Sequence, residues 1–214
     1  MIFNFLRRNK ENIDTTKKIA GDIGYHKLEE WWMNEFTEEE RQFIRDTYKP
    51  FGAEEDFVID EGEILETSAS TVHFLCFSIG GYTSYDNFNI GKKFLEKAES
   101  LIEEEKDIIN IHFVYHYGIE IYYSNRDKIE GALDSAIEYC KKQISISEEV
   151  KNAYLSKDKF LPNHRGFKQL AIIYEKQGEL EKAIEVTKLA LEQGWNEDSK
   201  RRLQRLEKKF SRNN

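Results

Sequence analysis

The fold of this chain is decided by one stretch, HRGFKQLAIIYEKQGELEKAIEVTKLALEQGW, residues 164–195. Its apolar residues recur at intervals of three and four, which is the spacing of a buried stripe on a helix. Ala171 and Ala183 are small enough to let two antiparallel helices approach closely, and Tyr174 fills the space beside them. Gly178 stands between the two apolar patterns and is suited to the C-cap of the first helix. The stretch therefore predicts an antiparallel pair of α-helices.

The spacing of these residues resembles the tetratricopeptide repeat, which is a pair of helices that stacks on its neighbours. The matching residues are Phe167, Leu170, Ala171, Tyr174, Gly178, Ala183, Thr187 and Ala190, with Trp195 where the pattern usually has proline. The resemblance covers both helices of one repeat. It implies a curved stack of helix pairs whose first helices line a groove, where such proteins usually bind a peptide or another protein.

Weaker signs of the same pattern precede this repeat at an offset of thirty-eight residues. The matching pairs are Gly80 and Gly118, Tyr85 and Tyr123, Leu95 and Leu133, and Ala98 and Ala136. They predict two further helix pairs, at about residues 68–105 and 109–147. After residue 197 an amphipathic, strongly charged segment is expected to form a helix that covers the end of the stack. We therefore predict an all-α fold: a short solenoid of about three helix pairs with an N-terminal helical cap and a C-terminal helix.

The N-terminal third resembles no repeat. Residues 26–36 (HKLEEWWMNEF) and 37–48 (TEEERQFIRDTY) are predicted to be two helices, the second opened by a capping box of Thr37 and Glu40. Residues 51–66 are acidic and are expected to form a surface loop. The predicted domains are thus residues 1–66, a helical cap with an acidic loop, and residues 67–214, the repeat region with its capping helix.

Composition favours an intracellular helical protein. Of the 214 residues 39% are hydrophobic and 34% are charged, which suits thin helical layers better than a thick α/β core. The two cysteines, Cys76 and Cys140, sit in apolar stretches without CxxC spacing and are interpreted as reduced core residues. Residues 1–8 are apolar and then basic, the wrong order for a secretory signal, and no apolar run approaches the length of a membrane span. We expect a cytoplasmic protein.

The resemblance also selects candidate binding residues. Carrying the family's groove positions onto the second and third helix pairs gives His112, Tyr115, Ile119, Tyr122, Tyr123, Arg165, Lys168, Ile172, Glu175 and Lys176. Tyrosine offers a large contact area at little entropic cost, and the basic residues suit acidic groups. A groove for a peptide with apolar and acidic groups is therefore implied. Because the upstream repeats are irregular, a slipped register is the alternative, in which these tyrosines are ordinary packing residues.

A metal-dependent hydrolase is an alternative function. His112, His116 and Glu120 follow one another at four-residue intervals, which places three potential zinc ligands on one side of a helix. A zinc protease has a glutamate directly after the first histidine, however, and this chain has Phe113 there. Other catalytic signatures, such as a GxSxG elbow or a phosphate loop, are absent from the sequence. We therefore favour a protein that is no enzyme and uses neither metal nor cofactor.

The distribution of charge suggests a third hypothesis. The net charge is −8, yet residues 197–214 hold seven bases against three acids, and a basic helix can bind nucleic-acid phosphates. Acids are interleaved among these bases, so a solvated helix face is favoured over nucleic acid. Residues 29–66, with fourteen acids against three bases, could attract this tail within one molecule or between two copies. The leading prediction remains an interaction protein that binds a protein or peptide.

Overall fold

The computed structural model describes residues 18–50, 52, 54, 56–157, 161–195 and 198–213. These residues form α-helices, one 3₁₀ turn (Gly80–Tyr82) and loops, and no strand, so the predicted all-α fold is confirmed. The eleven helices within these ranges are α1 (Gly21–Tyr25), α2 (Glu29–Glu35), α3 (Glu38–Thr47), α4 (Thr71–Ile79), α5 (Phe88–Glu99), α6 (Ile108–Ser124), α7 (Ala132–Ser145), α8 (Ser147–Lys157), α9 (Arg165–Lys176), α10 (Leu180–Gln193) and α11 (Ser199–Asn213).

Three pairs of helices pack in chain order. The pairs are α4 with α5, α6 with α7, and α9 with α10, and we call α4, α6 and α9 the first helices. Each first helix packs on the next one, and α7 also packs on α9. Helix α8 lies against α6, and α11 runs along α10. This order of contacts is compatible with a helical solenoid and matches the helix pairs expected from the sequence.

The turn inside the third pair forms as its sequence predicts. Gly178 has a φ of +82°, a conformation that a residue with a side chain rarely adopts. The amides of Gly178 and Glu179 donate to the carbonyls of Glu175 and Tyr174, at 3.2 and 2.9 Å. These bonds satisfy carbonyls that the end of α9 would otherwise leave unpaired, which is the C-cap role predicted for this glycine.

The N-terminal helices pack on the first pair. The capping box of α3 is present, with Glu40 N donating to Thr37 Oγ1 at 3.2 Å and Thr37 N donating to Glu40 Oε2 at 2.8 Å. The rings of Trp31 and Phe36 lie 5.3 and 5.5 Å from that of Phe94 on α5. One continuous hydrophobic cluster therefore joins α1–α3 to the first two helix pairs.

Part of the acidic stretch is core rather than surface loop. Ile59 and Asp60 are buried. The Asp60 carboxylate accepts a hydrogen bond from Trp32 Nε1 at 3.0 Å and another from Arg45 Nη2 at 2.8 Å. Buried carboxylates are tolerated when they are paired in this way. The prediction of a surface loop is wrong for these two residues, because partners distant in sequence draw them inward.

Both cysteines are buried and unbridged. Burial raises the pKa of the Cys76 thiol and raises that of Cys140 to about 12, so both thiols are protonated at neutral pH. They are core residues, as predicted. Among the helices that the structure describes, none combines the length and the apolar character needed to cross a bilayer.

Candidate functional site

A solvent-facing stripe crosses the three first helices, and we call it the first-helix face. Its residues are His73 and Phe77 on α4, Phe113, His116, Tyr117 and Glu120 on α6, and Arg165, Lys168, Ile172, Glu175 and Lys176 on α9. On each helix they recur at three and four positions, opposite the buried stripe. All of them are half-buried or exposed.

The part of this face on α4 and α6 is aromatic. Phe77 is 48% exposed, and its ring lies 5.6 Å from Phe113 and 6.2 Å from Tyr117. His73 stacks on Phe77 at 4.4 Å, and His116 lies 5.9 Å from Phe113. We call these five residues the aromatic strip. A contiguous exposed patch of large rings is typical of an interaction surface.

The part of the face on α9 is charged. Arg165 Nη1 lies 3.6 Å from Glu120 Oε2 on α6, while Arg205 and Lys209 of α11 pair with Glu175. We call Arg165, Lys168, Lys176, Arg205 and Lys209 the cationic end. In the part of the chain that the structure describes, the ion pairs of these five cations involve two carboxylates, Glu120 and Glu175, in a chain whose net charge is −8. The cationic end is therefore a local exception to the acidic character of the protein.

His116 contributes an uncharged ring to the strip. Burial, with the nearby Arg165 as a smaller cause, lowers the pKa of His116 to about 4. Its Nε2 lies 3.8 Å from Glu120 Oε2, and at neutral pH this contact joins a neutral imidazole to a carboxylate. Positive charge at this part of the face therefore comes from Arg165 and not from His116.

Not all of the groove residues selected from the sequence reach this face. Those of the third pair, Arg165, Lys168, Ile172, Glu175 and Lys176, lie on it. In the second pair, Tyr123 borders it, because Lys176 Nζ donates to the Tyr123 hydroxyl at 3.2 Å. His112 and Ile119 are buried, Tyr122 stacks on Tyr139 of α7 at 5.6 Å, and Tyr115 lies near Lys142 of α7. His112 and Ile119 therefore lie in the interior, and the half-buried Tyr115 and Tyr122 lie toward α7 and not on the first-helix face.

The face residues of α6 lie one position after the residues selected from the sequence: Phe113, His116 and Glu120 follow His112, Tyr115 and Ile119. On an α-helix one residue corresponds to about 100°, enough to turn a groove position into a core position. The exposed residues of α4 and α6 are forty residues apart, His73 matching Phe113 and Phe77 matching Tyr117. The glycines used to align the pairs are thirty-eight apart. The forty-residue spacing of these aromatic residues is the signal that would have identified the aromatic strip.

The three candidate metal ligands do not converge. Positions four apart on a helix drift by about 40°, so His112 and Glu120 differ in direction by about 80°. His112 packs in the interior against His164 and Trp195, whereas His116 faces Glu120. Throughout the ranges that the structure describes, no three His, Cys, Asp or Glu side chains are grouped so as to hold a metal ion.

A polar cluster lies beneath the face, between α6, α7 and α9. Gln143 Nε2 donates to the carbonyl of His112 at 3.0 Å, and Gln143 Oε1 accepts from the Gly166 amide at 2.6 Å. The rings of His112 and His164 are 5.1 Å apart, and Trp195 lies 4.7 Å from His164. Burial lowers the pKa of His112 well below its ordinary value and that of His164 to about 3. Both imidazoles are therefore neutral at physiological pH.

Comparison with known proteins gave no match: no family model, no curated protein and no solved structure resembles this chain at a significant level. The function of this chain is therefore inferred from its own geometry.

Proposed function

We propose that this chain is a tetratricopeptide-like interaction protein that binds an extended segment of another protein along the first-helix face. The observation that carries the proposal is the continuity of the aromatic strip with the cationic end across three neighbouring helices. Large, partly exposed aromatic residues supply contact area at low entropic cost, and adjacent cations add orientation and specificity. A surface of this composition suits a peptide better than a small molecule.

The face also indicates the chemistry of the partner. Apolar or aromatic side chains would lie on α4 and α6, and acidic side chains would lie near α9. The whole chain is acidic and would repel an acidic partner at long range, so the cationic end determines where such a partner can dock. A peptide that carries both kinds of group therefore has one favoured direction along the face.

We place this interaction in the cytoplasm. Buried cysteines without a disulfide are typical of proteins in a reducing compartment. The expected partner is accordingly another intracellular protein.

A displayed library of random twelve-residue peptides tests the proposal. The wild type is expected to enrich a family of related peptides. A double variant of the face, Phe113→Ala with Lys168→Glu, is expected to lose them, because it removes a ring from the strip and reverses a charge at the cationic end.

Leu155→Ser is the matched control, since Leu155 is 46% exposed on α8 and lies off the face. Circular dichroism and thermal melting check that all three proteins are folded. The proposal fails if the wild type enriches no peptide family, or if the folded face variant retains the same peptides as the control.

A further inference from the structure

A pocket lies between α3 and α4, at the border of the aromatic strip. Its walls include the rings of Phe43, Tyr48, Phe77 and Tyr82, with Ser78 and Gly81 beside them. The cavity volume is about 480 Å³, within the range of sites that enclose a ligand. Phe77 belongs both to the pocket and to the aromatic strip. The pocket is therefore continuous with the first-helix face, although the N-terminal helices build one side of it.

The chemistry of the pocket suits an aromatic ring. Phe43 is 38% exposed and Phe77 is 48% exposed, so two walls offer partly uncovered ring surface, while Tyr82, whose ring lies 6.3 Å from Phe43, is buried. The Tyr82 hydroxyl lies 3.2 Å from Thr47 Oγ1, which places hydroxyl groups among the rings. Burial raises the pKa of Tyr48 to about 12, so its phenol also stays neutral. Lys49 and Asn87 also line the pocket. Aromatic walls with these polar groups favour a ring with a polar edge, as in tryptophan or tyrosine.

We propose that this α3/α4 pocket anchors a tryptophan or tyrosine side chain of the bound peptide, while an acidic residue of the same peptide lies at the cationic end. This inference rests on the proposed function and adds to it the specificity of the peptide. Phe77 links the pocket to the aromatic strip, because it lines the pocket and its ring also contacts Phe113 of the strip.

The geometry also fixes the spacing of the two groups in the peptide. Neighbouring packed helices lie about 8–10 Å apart, so α9 is about 16–20 Å from α4, and the pocket lies beyond α4. An extended chain rises about 3.3 Å per residue. The aromatic residue and the acidic residue are therefore expected about six to eight residues apart. The five cations at the far end provide the charge complementarity that determines the direction of the peptide.

The test uses the peptides enriched on the wild type in the library selection, synthesised with a fluorescent label. They are expected to share a tryptophan or tyrosine and an acidic residue at this spacing. Dissociation constants are measured by fluorescence anisotropy for the wild type and for Phe43→Glu, which puts a carboxylate into the pocket wall. We expect Phe43→Glu to weaken binding at least tenfold, because it removes a ring from the pocket wall and puts a charged group where the ring of the peptide would pack.

Gln42→Glu is the control, because it adds the same charge at the exposed neighbouring position on α3. Gly81→Leu is a second, independent variant: a Cβ at Gly81 meets no atom within 4 Å, so a larger side chain at the pocket is tolerated. It is expected to weaken binding as well, while Gly81→Ala leaves it nearly unchanged.

A double-mutant cycle separates the anchor from a general loss of binding. Replacing the aromatic residue of the peptide by alanine should raise the dissociation constant at least tenfold for the wild type and less than threefold for folded Phe43→Glu. Equal losses on both proteins, or enriched peptides that lack an aromatic residue, would overturn the anchor while leaving the proposed function in place. Failure to enrich any peptide would overturn both.

Discussion

The two junctions between successive helix pairs are built in different ways. At the first junction, where α5 meets α6, a Cβ on Gly91 would overlap the carbonyl oxygen of Tyr82 and lie 2.6 Å from Ile121 Cδ1. At the second junction, between α6/α7 and α9, Gln143 bridges the backbone of the two helices and two neutral histidines fill the space. The first junction therefore depends on the absence of a side chain. The second depends on the polar contacts that Gln143 makes, so the two should respond differently to mutation and to pH.

The largest effect is expected at the first junction. Gly91→Val should lower the free energy of unfolding by about 3 kcal/mol or more, because backbone and side-chain atoms already occupy the space that the new side chain needs. At an unconstrained helix position, replacing glycine usually stabilises the helix. A strong loss of stability would therefore indicate the close approach of other atoms to Gly91. Urea denaturation followed by circular dichroism measures the change. Gly81→Ala is the unhindered control, and an unchanged midpoint for Gly91→Val would contradict the close approach.

At the second junction, Gln143→Leu should lower the free energy of unfolding by roughly 2–3 kcal/mol. The substitution keeps an apolar volume but leaves the Gly166 amide, in the first turn of α9, buried without its partner, and it removes the additional bond to the His112 carbonyl. The same urea titration applies, with Gln204→Leu on the exposed side of α11 as a control that should change stability by less than about 0.5 kcal/mol. If both substitutions had equally small effects, the polar bridge would contribute nothing to this junction.

Acid should weaken the second junction selectively. The pKa of His164 is lowered from 6.5 to about 3, so below about pH 6.5 the unfolded chain binds a proton that the folded chain does not. Stability should therefore fall as pH falls, by about 2 kcal/mol between pH 6.5 and 5 from this residue alone. Urea titrations at several pH values measure the slope.

His164→Asn is the informative variant for this slope. Asparagine can still accept the hydrogen bond from the Phe167 amide that His164 accepts as the N-cap of α9, but it does not titrate. The variant should therefore show a shallower dependence of stability on pH between 6.5 and 5. A slope identical to that of the wild type would assign the acid sensitivity to other groups.

The smallest effect is expected where α11 meets α9. Arg205 pairs with Glu175, but its side chain is 55% exposed, so the pair is screened by solvent. Arg205→Ala should lower the free energy of unfolding by about 0.5 kcal/mol at low ionic strength and leave it almost unchanged in about 1 M salt. Arg201→Ala, on an exposed part of the same helix, serves for comparison. A large loss of stability that persists in high salt would mean that this ion pair stabilises the fold as much as the polar contacts of the second junction do.

Sequence reasoning succeeded where structure is determined locally. The turn at Gly178 and the capping box at Thr37 each depend on residues within five positions of one another, and both are present. The phase of α6 could not be predicted in the same way, because it is set by long-range contacts such as the ring of Tyr139 against Gly118. The pairing of Asp60 with Trp32 was missed for the same reason.

In the candidate site, too, the residues that could be predicted are those set by local sequence, and the others depend on long-range contacts. The cationic residues of α9 were found because the third repeat has a clear register. The aromatic strip was missed because its members belong to two helices whose exposed sides match at a different offset from their glycines. The α3/α4 pocket was not predicted, since its walls come from two separate segments, residues 43–50 and 77–87, that share no common pattern.

The two buried thiols can be used to measure local opening of the structure. Cys76 lies on α4 in the first helix pair and Cys140 on α7 in the second, and neither side chain reaches solvent in the folded state. An alkylating reagent can modify each sulfur only during an opening event, in the same way that amide hydrogens exchange. The labelling rates of the two cysteines, resolved by mass spectrometry, therefore measure how often each pair opens. Equal rates would mean that the first two pairs unfold together as one cooperative unit.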